Sequence, residues 1–234
     1  MELELLLYFA ILAAAILSVV AQIRVSTTFN RYSRVATAGG YSAEQVARMV
    51  LDSAGCHDVV IEPTRGKLTD HYDPRTKTLR LSEATYHNAS AAAIGVACHE
   101  AGHAIQHSNG YLPLKLRSLM VPVTNFSSRL WYITVIVGTL FLFIAPEGAL
   151  GYYMILFGVG LFSVTTLFQL ITLPCEFDAS ARAMRAMREI GYFDRRELSG
   201  AKKVLSAAAM TYIASALVSV LQLLRLILIV RRRR

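Results

Sequence analysis

Long apolar runs constrain the fold of this chain more than any other feature. Four of them occur along its 234 residues, at positions 3–23, 128–145, 149–173 and 210–230. A run of about 20 apolar residues can cross the hydrocarbon core of a bilayer as a helix. The sequence therefore predicts a mainly α membrane protein with three to four transmembrane helices. The count is left open because Gln222 and Arg225 interrupt the last run.

The first run is interpreted as a retained anchor. A secretory signal peptide is the alternative, but such a peptide needs a basic segment before its apolar core. Here the chain begins Met1-Glu2-Leu3-Glu4, without Lys or Arg.

The regions between the runs divide the chain into five predicted parts. Residues 1–23 form an N-terminal transmembrane anchor, 24–127 a part with a small sheet and a motif helix, 128–173 a transmembrane helical hairpin, 174–209 further helices, and 210–234 an apolar helix with a basic tail. Turn residues separate three short extended segments at 59–62, 68–72 and 78–82, which indicates a small antiparallel β-sheet. The edge of such a sheet can accept an extended peptide as a further strand.

Charge and cysteine content exclude two classes of protein. The net charge is +8, but four of these charges are the consecutive arginines 231–234 directly after an apolar run. Such a cluster is typical of a segment that lies at anionic lipid headgroups, so we expect the lipid bilayer as partner and no nucleic acid. The three cysteines are odd in number and show no C-x-x-C spacing, which favours reduced thiols over a disulfide framework.

The motif His-Glu-Ala-Gly-His, from His99 to His103, carries the strongest functional signal. Residues four apart lie on one face of a helix, so both imidazoles can bind one metal ion. Glu100 lies beside them and is placed to take a proton from a metal-bound water. The surrounding segment is rich in alanine and apolar, where two histidines and a glutamate would be costly without a partner. We expect Zn²⁺ at this site.

A third protein ligand must come from elsewhere in the chain. His107 lies roughly 12 Å along the helix axis from His99, too far to share one ion. The hairpin returns the chain to the side of His99 at Pro174, and Glu176 is the first acidic residue there. We therefore predict Glu176 as the third ligand, with a structural role at a helix N-terminus as the alternative. Asp178 is a candidate for a supporting role and also for a purely structural one.

Three segments together resemble the bacterial membrane family of neutral zinc metallopeptidases, the YugP-type peptidases. They are G-V-A-C-H-E-A-G-H-A-I-Q-H, L-T-D-H-Y-D-P-R-T-K-T-L-R-L-S and L-P-C-E-F-D-A-S-A-R-A. The resemblance implies a zincin-like, gluzincin-related core with His99 and His103 as ligands, Glu100 as catalytic residue and Glu176 as third ligand. Characterised membrane gluzincins carry an Asp four residues after the ligand Glu, whereas this chain has Ser180.

The predicted function is zinc-dependent hydrolysis of peptide bonds in the membrane, with Glu100 as general base. The substrate would be a peptide or protein, expected to be membrane-associated. Candidates for stabilising the oxyanion are His71, Tyr72, Arg80 and Arg182, each of which could instead be a surface or turn residue. The alternative function is an inactive metal-binding scaffold or adaptor. A transporter is disfavoured because residues 130–145 and 149–173 of the hairpin include no Asp, Glu, Lys, Arg or His.

The charges that flank the runs favour a multi-pass protein of the cell membrane with a cytoplasmic active site. Eight basic residues lie on the side of the motif: Arg24, Arg31, Arg34, Lys115, Arg117, Arg182, Arg185 and Arg188. The hairpin turn carries only Glu147. If residues 210–230 also cross the membrane, the arginine tail lies on the opposite side, against the same tendency.

Overall fold

The computed structural model describes residues 2–145 and 147–232, which form six α-helices and three β-strands. The helices are α1 (Glu2–Tyr32), α2 (Ala43–Ser53), α3 (Ala91–Ser108), α4 (Leu112–Ile144), α5 (Ala149–Ile190) and α6 (Arg195–Arg232); the strands are β1 (Val60–Thr64), β2 (His71–Asp73) and β3 (Thr78–Ser82). Met1 of the predicted anchor, Pro146 of the predicted hairpin turn, and Arg233 and Arg234 of the predicted tail lie outside the described residues.

The predicted fold class is confirmed, because helices dominate and four of them are long and apolar enough to cross a membrane. These candidate spans are Leu5–Tyr32, Leu112–Ile144, Ala149–Ile190 and Arg195–Arg231. The fourth apolar run is therefore part of one continuous helix that is long enough to span, despite Gln222 and Arg225. The guanidinium of Arg225 donates to the Tyr8 hydroxyl at 2.5 Å and lies 4.1 Å from the centre of its ring.

Helices α4 and α5 are longer than the apolar runs that predicted them. Helix α4 begins at Leu112 and passes through Pro122, and α5 passes through Pro174 without a break. The predicted division of the chain instead began the hairpin at residue 128 and separated the helices of 174–209 from the apolar run 149–173. A proline inside a helix removes one backbone hydrogen bond, and in both places the flanking residues stay helical on either side of it.

The small sheet is mixed and not antiparallel throughout. Its strand order is β1-β3-β2, with β2 and β3 antiparallel, and β1 parallel to β3. The chain that links β1 to β3 contains β2, so β1 and β3 are not consecutive and run in the same direction. Both β1 and β2 are edge strands.

The described chain separates into two compact units. One consists of Met1–Val19, Leu116–Leu173 and Tyr212–Arg234, and its described residues are mostly helical. The other consists of Val20–Lys115 and Pro174–Thr211 and contains the sheet and α3. In the helical unit, α4 and α5 approach closely, since a Cβ on Gly138 would lie 2.8 Å from the carbonyl oxygen of Gly151. The second unit has the larger core, formed by α2, the sheet, α3, the last part of α5 and the first part of α6.

Candidate metal centre

Helix α3 carries the motif and is fixed at both ends. The Ser90 hydroxyl accepts from the Ala93 amide and caps the N-terminus, and Asn109 follows its last residue. Residues Ala91 to Cys98 are all buried except Val96, and five of them are Ala or Gly, so this part of the helix packs closely into the core. His99 and His103 therefore project from one buried face, with ring centres 4.8 Å apart.

Glu176 reaches these two histidines from helix α5. Its Oε2 lies 3.2 Å from His99 Nε2 and 3.7 Å from His103 Nε2, and only 2% of the residue is exposed. The atoms of these three residues that could bind a metal all lie within 4.8 Å of one another. The structure thus brings together the three predicted ligands, from segments more than 70 positions apart in the chain.

Gly102 allows α3 and α5 to approach this closely. A Cβ at position 102 would lie 2.6 Å from the carbonyl oxygen of Ala179, which follows Glu176 by three residues. Because every amino acid except glycine has a Cβ, this backbone contact restricts position 102 to glycine. Sequence reasoning missed this role, although a glycine inside a helix is itself a signal of close packing.

Each histidine uses its second ring nitrogen in a different hydrogen bond. His99 Nδ1 lies 3.1 Å from the Ser180 hydroxyl, and His103 Nδ1 lies 2.9 Å from Gln106 Oε1. Sequence reasoning noted Ser180 only as a departure from the gluzincin pattern and did not single out Gln106. Both bonds leave the Nε2 atoms directed at Glu176.

Asp178 does not contact the histidines directly, and the side chain of Gln106 lies between it and His103. Its Oδ2 accepts from Gln106 Nε2 at 2.8 Å and from Arg182 Nε at 2.6 Å. Arg182 in turn lies 5.8 Å from the centre of the Tyr111 ring. The carboxylate is therefore connected to His103 through the side chain of Gln106.

The remaining candidates have partners elsewhere. His107 Nδ1 lies 2.9 Å from the Tyr72 hydroxyl, and His107 is not among the three residues whose ligand atoms meet. The guanidinium of Arg80 lies 3.4 Å from Glu62 and 3.7 Å from Asp73. His71 is exposed, with Nδ1 2.8 Å from the Thr69 carbonyl oxygen. Glu100 is partly exposed and follows His99 directly on α3.

The electrostatics of the site favour positive charge where the three side chains meet. Burial alone would lower the pKa of His103, but hydrogen bonds with Cys175 and Glu176 and the charges of Glu100 and Glu176 raise it to about 10. A carboxylate that stabilises an imidazolium also stabilises a bound cation in the same place. The neighbouring thiol of Cys98 behaves oppositely: burial raises its pKa to about 12, so it stays protonated.

The donor set fits zinc. Two imidazole nitrogens and one carboxylate oxygen are ligands that zinc accepts at about 2.0–2.2 Å. Tetrahedral geometry at such distances separates neighbouring ligand atoms by about 3.3 Å. The distances of 3.2 Å and 3.7 Å from Glu176 to the two histidines are close to this separation. Three protein ligands leave the fourth position for water or substrate, which distinguishes catalytic zinc sites from structural ones.

Comparison with known proteins is consistent with this geometry. A family model described as "putative neutral zinc metallopeptidase" matches residues 7–231. The chain belongs to this family. It is also 45% identical over 224 residues to the "putative membrane protease YugP" of Bacillus subtilis (strain 168), an alignment that covers 96% of each chain. No solved structure matches the chain. The family resemblance drawn from the three sequence segments is thereby confirmed.

Proposed function

We propose that this protein is a zinc-dependent endopeptidase of the membrane, related to the gluzincins. His99, His103 and Glu176 would hold the zinc ion, and Glu100 would serve as general base. The observation that supports this most strongly is the convergence of two Nε2 atoms on one buried carboxylate, while both Nδ1 atoms bond elsewhere. Membership of a zinc metallopeptidase family supports it independently.

Zinc in such a site supplies Lewis acidity, which brings the pKa of a water molecule to about 7 and polarises the scissile carbonyl. The residues of the chain do the rest. The carboxylate of Glu100 accepts the proton of the attacking water and delivers it to the nitrogen of the leaving amine. Glu100 follows His99 directly on α3, so the same helix would position both a zinc ligand and the general base.

The edge of strand β2 is the proposed platform for the substrate. This strand packs against α3, where Tyr72 contacts His107. Within the sheet it pairs only with β3, so its other edge is free of any strand formed by the described residues. An extended peptide that pairs with β2 would run beside the motif helix and gain main-chain hydrogen bonds independent of its side chains. This mode suits a peptidase that acts on unfolded or extended segments.

The site is proposed to lie close to the membrane surface on the cytoplasmic side. Glu176 follows the end of the third apolar run by three residues, or about 4.5 Å along the helix. Basic residues that flank the runs on this side favour the cytoplasm. We expect substrates in or near the bilayer as a result.

Replacement of Glu100 by glutamine tests the proposal. The purified E100Q variant should keep one zinc per chain and lose cleavage of a membrane-tethered peptide by about 10²–10⁴-fold, the range for general-base catalysis. E83Q serves as the matched control, because Glu83 is an exposed carboxylate on the same unit. If E100Q cleaved as fast as the parent, the mechanism would be wrong. If the parent bound zinc but cleaved nothing, the inactive scaffold would be the better account.

A further inference from the structure

Gln106 is a polar side chain without exposure to solvent. It lies on α3 one turn after His103, and 0% of its surface is exposed. Its amide makes four hydrogen bonds. Oε1 bonds with His103 Nδ1 at 2.9 Å and accepts from the Cys175 thiol at 3.5 Å, and Nε2 donates to the Cys175 carbonyl oxygen and to Asp178 Oδ2, both at 2.8 Å. A buried amide that is satisfied on all sides is held in one orientation.

The partners of Nε2 determine which way the amide points. The Cys175 carbonyl and the Asp178 carboxylate are both acceptors, so only the NH₂ group of Gln106 can face them. The amide oxygen must therefore face His103, and an oxygen can only accept. His103 consequently carries a proton on Nδ1, and its Nε2 is the nitrogen that faces Glu176.

The same side chain also connects two helices. Gln106 belongs to α3, while Cys175 directly precedes Glu176 on α5. One amide thus bonds to a proposed ligand on its own helix and to the backbone next to the proposed ligand on the other. The distance between His103 and Glu176 depends on these bonds, as well as on the contact at Gly102.

Asp178 and Arg182 hold the amide in this orientation. Arg182 donates to the same carboxylate oxygen that accepts from Gln106. This ion pair holds the Asp178 carboxylate in place, with the oxygen that Arg182 contacts directed at the amide of Gln106. A fixed acceptor at this point prevents the amide from turning over.

We propose that Gln106, oriented by Asp178, is a positioning residue that selects the Nδ1-protonated form of His103 and sets its spacing to Glu176. The proposal rests on the zinc site described above. It assigns to an amide the task that a carboxylate bonded directly to the histidine commonly performs in zinc sites. His99 has a separate arrangement, with Ser180 as its partner.

Zinc affinity of the full-length protein, measured by competition with a chelator, tests the proposal. Q106M keeps the length of the side chain but loses all four hydrogen bonds of the amide, and D178A removes the carboxylate that accepts from Nε2. Each should weaken zinc binding by about 10–100-fold, the range for loss of such supporting contacts. D58A is the control, since it removes a carboxylate of the same unit that pairs with Lys77. Thermal unfolding without zinc shows whether each variant is folded.

A reciprocal exchange separates orientation from simple packing. Q106E places a carboxylate against Asp178 and should bind zinc as poorly as Q106M. The double variant Q106E/D178N restores a donor opposite an acceptor. It should bind zinc at least tenfold more tightly than Q106E. Nitrogen-15 spectra of labelled histidine should show an Nδ1 proton on His103 in the zinc-loaded parent.

The outcomes separate the two proposals. If the parent binds no zinc, both the metal site and the positioning role fail. If the parent binds zinc, and folded Q106M and D178A bind it within twofold of the parent, the positioning role alone is refuted. An Nδ1 atom of His103 without a proton would refute the assigned orientation directly.

Discussion

Replacement of Gly102 by alanine is the sharpest test of how α3 and α5 build the site. The new Cβ would lie 2.6 Å from the Ala179 carbonyl oxygen and 3.2 Å from its carbonyl carbon and Cα. Ordinary contact begins at 3.4 Å. The two helices must therefore separate by about 0.8 Å, the difference between these distances, because backbone atoms on both sides cannot rotate away.

The effect on the site should exceed the effect on stability. Overpacking of this kind costs about 1–3 kcal/mol, and the better helix propensity of alanine offsets about 1 kcal/mol. The net loss of unfolding free energy should be about 0–2 kcal/mol. The separation, however, moves Glu176 away from both histidines by nearly 1 Å, and misplacement of that size can reduce catalysis about 100-fold.

The assay compares zinc affinity, cleavage rate and thermal unfolding of G102A with those of the parent. G160A is the matched control, because Gly160 also lies within a helix and a Cβ there would meet nothing within 4 Å. G102A should lose about 100-fold in cleavage and G160A should lose none. The reasoning would be refuted if G102A were folded and cleaved within twofold of the parent rate.

Three further outcomes follow from the geometry. In the native protein Cys98 should resist alkylation at pH 8, since burial raises its pKa to about 12, and mass spectrometry should find it modified only after unfolding. Zinc must displace the proton that His103 binds with a pKa of about 10, so zinc affinity should rise about tenfold per pH unit from pH 7 to 9, with proton release measurable by calorimetry; a flat profile would contradict this. S180A should weaken zinc binding about tenfold, whereas an unchanged affinity would show that His99 needs no such partner.

Features that depend on local sequence were predictable. The spacing of His99 and His103 fixes their common face as soon as the segment is helical, and the alanine-rich flank ensures the helix. Ser42 and Gln45 are three residues apart, the spacing of a capping box, and both hydrogen bonds of that box form at the start of α2. The position of Glu176 on the side of the motif could also be predicted, because the number of apolar runs limits which acidic residues can lie on that side.

Features that depend on how distant segments meet were not predictable. The parallel pairing of β1 with β3 depends on tertiary packing, and the three short strands carry no signal for strand order. Ser180 and Gln106 became visible only once α3 lay against α5, because neither belongs to a motif with a known ligand spacing. Asp178 was a candidate for a supporting role, but its connection through Gln106 requires the positions of both helices.

X-ray absorption spectroscopy at the zinc K edge, on the purified, zinc-loaded protein, tests the central claim most directly. The account predicts four nitrogen or oxygen neighbours at about 2.0–2.2 Å, with scattering from two imidazole rings and no sulfur. Cys175 makes the measurement decisive, because its sulfur lies 4.0 Å from His103 Nδ1 and a thiolate ligand would give a distinct shell at about 2.3 Å. Replacement of Glu176 by glutamine should abolish the spectrum of the bound ion. A sulfur shell, or an unchanged spectrum in that variant, would contradict the assignment of His99, His103 and Glu176 as the ligands.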